Sequence, residues 1–162
     1  MTRAERKIAA ALVVAAVLLP LSVPAIDITV TGNWVFSVGA GDLAGGPGSD
    51  LIPEKESASN LIAQSVSNAL LLTWRVDVSR SGGTWNPNLH LWVRRTNNGT
   101  GGLGGVSGGL SYVEITAVAT AYFTGWWNRS GITHQERVSG LSVNIPPGTY
   151  STTVVWTVVQ TN

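Results

Sequence analysis

The sequence predicts an all-β fold, an antiparallel β-sandwich in a single domain, and three observations carry that prediction. Apolar and polar residues alternate along several stretches, the period of two that a half-buried strand requires. Clusters of Gly, Pro, Asn and Ser separate those stretches. No segment shows a convincing helical spacing. A β-barrel is the alternative arrangement of the same strands.

Residues 1–25 begin with Arg3, Arg6 and Lys7, continue through an apolar run over residues 8–19, and end on Val23, Pro24 and Ala25. A basic start, a short apolar middle and a small-residue end describe a secretory signal peptide cleaved after Ala25. An uncleaved anchor is the weaker reading, because Pro20 and Pro24 interrupt the run where a spanning helix has to continue. The mature chain is therefore expected to be secreted, extracellular or held at the cell surface, with no membrane span left. Losing residues 1–25 removes three of ten basic residues and one of nine acidic ones. The near-balance that remains argues against a nucleic-acid partner, which calls for a basic patch. There is no cysteine. Disulfides and thiolate metal sites are thus excluded, and packing and sheet hydrogen bonds must hold the chain together.

Over residues 26–38 the even positions Ile26, Ile28, Val30, Trp34, Phe36 and Val38 share one face of an extended chain, with Gly32 the one gap. At about 3.3 Å per residue such a run extends roughly 43 Å, about twice a usual strand. Either two strands of one domain meet at a bulge at Gly32, or the start of the run is a donor arm that completes a neighbouring subunit's sheet. On the second reading Ile26, Ile28, Val30, Gly32, Trp34 and Phe36 form the subunit interface, and Gly32 is the pivot.

Residues 39–162 make up the sandwich domain. Residues 39–56 read as a long loop in which residues 45–52 match one copy of a Gly-Gly-x-Gly-x-Asp calcium repeat. One copy does not make a calcium-binding roll, so Asp42 and Asp50 are expected to belong to an ordinary loop, and no metal or other cofactor is expected. Residues 57–68 fit a short amphipathic helix or an edge strand. Residues 69–79 read as a strand with Leu70, Leu72, Trp74, Val76 and Val78 inward, and residues 89–96 as the next, with His90 beside Trp92. Residues 97–109 are so rich in Gly, Asn and Ser that a loop without fixed structure is expected. One long strand is expected over residues 110–124, then a turn holding Trp126 and Trp127, then shorter strands over residues 132–138 and 141–145. The final strand, over residues 149–160, has apolar residues on both faces and reads as central or covered on both sides.

Catalytic chemistry finds little support. His90 and His134 are the only histidines, no serine sits in a nucleophile elbow, and Glu114 and Glu136 read as solvated sheet-face carboxylates rather than a glycosidase pair. The protein is not expected to be an enzyme. Trp85, Trp126 and Trp127 lie in turns, where exposed aromatic rings could stack on a glycan.

The segment Pro147-Gly148-Thr149-Tyr150-Ser151-Thr152-Thr153-Val154, together with the alternating strand after the signal peptide, resembles the two ends of spore coat protein U and related fimbrial subunits. That resemblance implies an incomplete immunoglobulin-like sandwich whose groove receives the N-terminal donor strand of the next copy. It also implies a head-to-tail homopolymer assembled with a periplasmic chaperone and an usher. Leu72-Thr73-Trp74 and Val155-Trp156-Thr157-Val158 are similar to Trp-x-Leu domains that bind cell walls. The expected function is an exported structural subunit of a fibre, pilus or coat, and the rival is a secreted glycan- or cell-wall-binding module.

Overall fold

Strands form where the sequence alternates. The computed structural model describes residues 25–161 and contains β1 (Asp27–Thr31), β2 (Glu54–Glu56), β3 (Ile62–Ser67), β4 (Thr73–Ser81), β5 (His90–Arg95), β6 (Gly105–Gly108), β7 (Val113–Glu114), β8 (Thr120–Trp126), β9 (Arg129–Ser139) and β10 (Thr153–Gln160). The signal peptide expected over residues 1–25 lies, all but Ala25, outside the described residues. Every pairing between these strands is antiparallel, and they form two sheets. One runs β1-β3-β9-β5-β7 with β2 also on β9, and the other runs β10-β4-β8-β6.

The eleven-residue β9 organises the first sheet. Along one side it pairs with β5, from His90↔Ser139 to Arg95↔His134. On its other side β3 and β2 follow one another, with Ile62 opposite His134 and Lys55 opposite Val138. Val66, Leu91, Val93, Ile132 and Val138 of this sheet meet Trp74, Val76, Val78 and Phe123 of the other in one core, a two-layer arrangement consistent with a β-sandwich. The Trp74 indole is fully buried, donates Nε1–H to the Trp127 carbonyl at 2.9 Å, and stands edge-on to Phe123. Gly125 has to be glycine, because a Cβ there would lie 2.3 Å from that indole.

A bulge between β4 and β8 changes what reaches the interior. Val76 pairs with Phe123 and the next residue, Asp77, pairs with Ala121, so Tyr122 is left unopposed. An extra residue in one strand turns successive side chains to the same side. Tyr122 and Phe123 are accordingly both buried, although alternation alone would separate them.

Several expectations are corrected. Residues 33–38 form no strand, and Gly32, at φ +101°, ends β1 rather than joining two strands. Leu70 and Leu71 lie outside β4 and are exposed. The single strand expected over residues 110–124 is broken: β7 belongs to the first sheet and β8 to the second, so the chain crosses between sheets through the exposed residues 117–119. Residues 141–145 make no strand. β10 is an edge strand, paired only with β4, not a covered central one.

The glycine-rich residues 97–109 are also not formless, since they contain β6 and wrap two buried arginines. Arg129 donates to the carbonyls of Asn98, Gly99, Gly101 and Gly104, at 2.7–3.3 Å. Arg95 donates to the carbonyls of Gly108 and Asn97 and to the Asn98 side chain. A planar guanidinium with five N–H donors can gather several carbonyls that a chain without side chains cannot hold by packing.

Candidate functional site: an open groove between the sheets

At one margin of the two layers the interior is open. β1 ends the first sheet, β10 ends the second, and the two strands lie near each other without pairing. Beneath them runs a groove of about 970 Å³. Leu91, Glu136 and Val138 of the first sheet, Leu89 just before β5, and Val154 and Trp156 of β10 line it, with residues 32–38 and 145–153 along its rim. Trp156 faces inward against Tyr122 and His134, yet it is only half-buried, because nothing covers its groove side.

Two stretches of backbone at this groove have no strand paired beside them among the described residues. The outer edge of β10 pairs with no described strand. Residues 33–38, alternately apolar and outside any strand, make no backbone–backbone hydrogen bond within the described residues. They are fastened by Lys55, whose Nζ donates to the Ser37 carbonyl at 3.1 Å and to Asp42 at 2.7 Å. Trp34 and Phe36 stack on each other, ring centres 4.5 Å apart, while Val35 points to solvent at 83% exposure. Ile28 and Val30 of β1, and Ile26 just before it, are half-buried, and β1 is in register with β3, where Ile28 opposes Val66 and Val30 opposes Gln64. All six residues expected at a subunit interface are thus gathered at this margin, and here β1 pairs within its own chain.

The inward row of β9 brings ionisable groups into this region. Glu136 is 6% exposed, lines the groove, and its carboxyl accepts no hydrogen bond among the described residues. Burial alone raises its pKa to about 7. His134 is fully buried, 3.1 Å from the Tyr122 hydroxyl through Nδ1, with Nε2 unpartnered. Burial, reinforced by the Arg95 charge, lowers its pKa to about 3, so it is neutral at ordinary pH. Gln64 on β3 is likewise fully buried with both amide atoms unpaired.

The expectation that Glu136 is a solvated sheet-face carboxylate is therefore overturned. The signal for it was present, because alternation in β9 puts His134 and Glu136 on the same face as Ile132 and Val138. Glu114 does lie on the outer face, where it meets His90 Nδ1 at 2.6 Å, so the two glutamates are on opposite faces of one sheet and form no catalytic pair. Asp42 and Asp50 do not converge on a cation site. Lys55 holds the Asp42 carboxyl below the usual range, and the backbone amides of Val143 and Leu51 do the same for Asp50. Among the described residues no group of three or more metal-ligating side chains comes together.

The three tryptophans expected to bind a glycan are not one platform. Trp126 opposes Thr73 at the start of β4, whereas Trp85 follows the end of that strand, roughly 26 Å away along it. Trp85 lines the groove, donates to the Leu89 carbonyl at 2.7 Å, and lies under Arg80. Trp126 belongs to β8 rather than to a turn and is 43% exposed; Trp127, in left-handed backbone at φ +62°, packs edge-on against it. Comparison with protein-family models, with characterised proteins and with solved structures finds no match to this chain.

Proposed function

We propose that the protein is an exported structural subunit that polymerises into an extracellular fibre, pilus or surface coat by lending its N-terminal segment to a second copy. The observation that carries this reading is that two stretches at one apolar groove, residues 33–38 and the outer edge of β10, have no strand paired beside them among the described residues. An extended, alternately apolar segment adds to a free sheet edge through main-chain hydrogen bonds, while its inward side chains fill the space between the sheets. The sequence of β10, TVVWTVVQ, holds no charge and no proline to prevent such pairing.

On this reading the two sheets are an immunoglobulin-like sandwich with its last edge left open. An arm lent to a second copy gives up the β3 register that β1 holds at home and gains the neighbour's β10 edge and groove, a heterologous contact that propagates head to tail when rotation does not close a ring. Ile26, Ile28 and Val30 contribute at most roughly 1.5–3 kcal/mol each when fully covered. A periplasmic chaperone and an usher are the helpers implied by the resemblance at residues 147–154.

Deleting residues 26–31 tests the reading, with Ile28→Asp as a milder form that sets a charge into the apolar groove. Intact protein should assemble with rising concentration in sedimentation and electron microscopy, and both variants should be folded, soluble monomers. Unfolding of the deletion variant, with the intact protein monomeric at high concentration, would mean that the arm belongs permanently to its own domain, and fibre formation would be lost with it.

A further inference from the structure

Glu136 is an odd residue to find in a strand-accepting groove. It stands on the central strand between His134 and Val138, 6% exposed, beside Leu89 and Leu91, with no hydrogen bond to its carboxyl. What exposure it keeps is to the open groove. We propose that Glu136 makes the groove a proton-gated acceptor, which admits the apolar arm of a second copy when this carboxyl is protonated and resists it when the carboxyl is ionised. The inference rests on the arm-exchange reading and adds its regulation.

The argument starts from what insertion removes. An apolar strand laid over the groove takes away the water, and of its inward positions Ile26, Ile28, Val30, Trp34 and Phe36 only Trp34 carries a side-chain donor, one neutral indole N–H that offsets little of an ionised carboxylate's lost hydration. A carboxylate left there without a partner is far more costly than a neutral carboxyl, so it takes up a proton instead. The surrounding charges do not relieve it. His134, next inward on β9, is neutral. Tyr122 of β8 stays protonated, since burial pushes its hydroxyl well up. Arg95 of β5 is committed to the carbonyls of Asn97 and Gly108. Lys55 of β2 is tied to Asp42 and Ser37, Asp50 is held by Val143 and Leu51, and the Tyr150 hydroxyl donates to the Pro146 carbonyl. With the open-state carboxyl titrating at about 7, association should weaken by up to about 30-fold between pH 5.5 and 8.5.

Self-association of the intact protein, measured by sedimentation equilibrium at pH 5.5 and 8.5, tests the gate in wild type, Glu136→Gln and Glu136→Met. Near-ultraviolet circular dichroism checks that each protein is folded. The expected result is tenfold or greater weakening at pH 8.5 in wild type and none in either variant. Equal association at both pH values in wild type would overturn the gate and leave arm exchange standing. The same pH dependence in wild type and both variants would overturn it too, by assigning the proton to another group. No association by any of the three proteins at either pH would remove arm exchange itself, and the gate with it.

Discussion

Replacing His134 with phenylalanine should change the pH dependence of stability in a direction and by an amount that the core geometry sets. The imidazole is fully buried, with the rings of Tyr122, Phe123 and Trp156 centred 5.4–5.6 Å from it, so a phenyl ring suits its surroundings. Its folded-state pKa is lowered to about 3. The unfolded chain therefore takes up a proton as pH falls through about 6.5 and the folded chain does not, so stability is fully present above that value and lost below it. Glu136 acts oppositely: with its folded pKa raised to about 7, its contribution is complete below about 4.5 and lost as pH rises to 7. In wild type the two slopes oppose each other between about pH 4.5 and 6.5, whereas His134→Phe leaves the Glu136 slope alone. The variant should gain on wild type by about 1.4 kcal/mol per pH unit below 6.5, approaching about 5 kcal/mol near pH 3. Loss of the Tyr122 hydroxyl's partner subtracts a pH-independent amount of about 1 kcal/mol. Urea unfolding followed by tryptophan fluorescence at pH 4, 5, 6 and 7 gives both curves. If they run parallel, His134 is not held neutral in the fold and the reasoning fails.

Two further outcomes are expected. Arg129→Met strands four loop carbonyls that water can partly recover, so it should cost about 2–4 kcal/mol in denaturant unfolding and speed amide exchange selectively over residues 98–104. Trp126→Ala should leave self-association and stability unchanged within about 0.5 kcal/mol, and loss of polysaccharide retention in an affinity gel by that variant would favour the glycan-binding module instead.

What the sequence revealed and what it hid divide along one physical line. Alternation is local, so β4, β5 and β9 and the inward residues Trp74, Val76, Val78, Leu91 and Val93 could be read directly, whereas residues 57–68, which fitted a helix or an edge strand, hold the inner strand β3. Pairing is not local. Apolar residues on both faces made β10 look covered, yet Val155 lies on the open face of an edge strand. The uninterrupted pattern over residues 110–124 hid a change of sheet, because neither the bulge opposite Val76 nor the crossing leaves a gap in the alternation. Residues 97–109 looked structureless because the groups that order them, Arg95 and Arg129, lie outside the stretch or before it in sequence. The six residues expected at an interface stood out because a period of two continues past Gly32 into residues that form no strand here.

Among the described strands with an unpaired side, β10 is the one to expect a partner at, and β2, three charged residues long, is the least inviting. An unpaired strand invites pairing unless it is short, charged or distorted. β7 is two residues long and holds Glu114 against His90. β6 is four residues long, begins and ends on glycine, and leaves the strand at Gly108 with φ +83°. β1 is five residues long and starts at Asp27. β10 has eight residues, four of them valine and one tryptophan, and none of those safeguards. Its groove side is also the place where the two layers fail to close, so pairing its edge and filling the groove are one event. A strand that satisfied the hydrogen bonds but not the groove would leave Trp156 uncovered. A small apolar ligand that filled the groove would leave the edge open. A segment alternating like residues 26–38 does both, and the chain carries one.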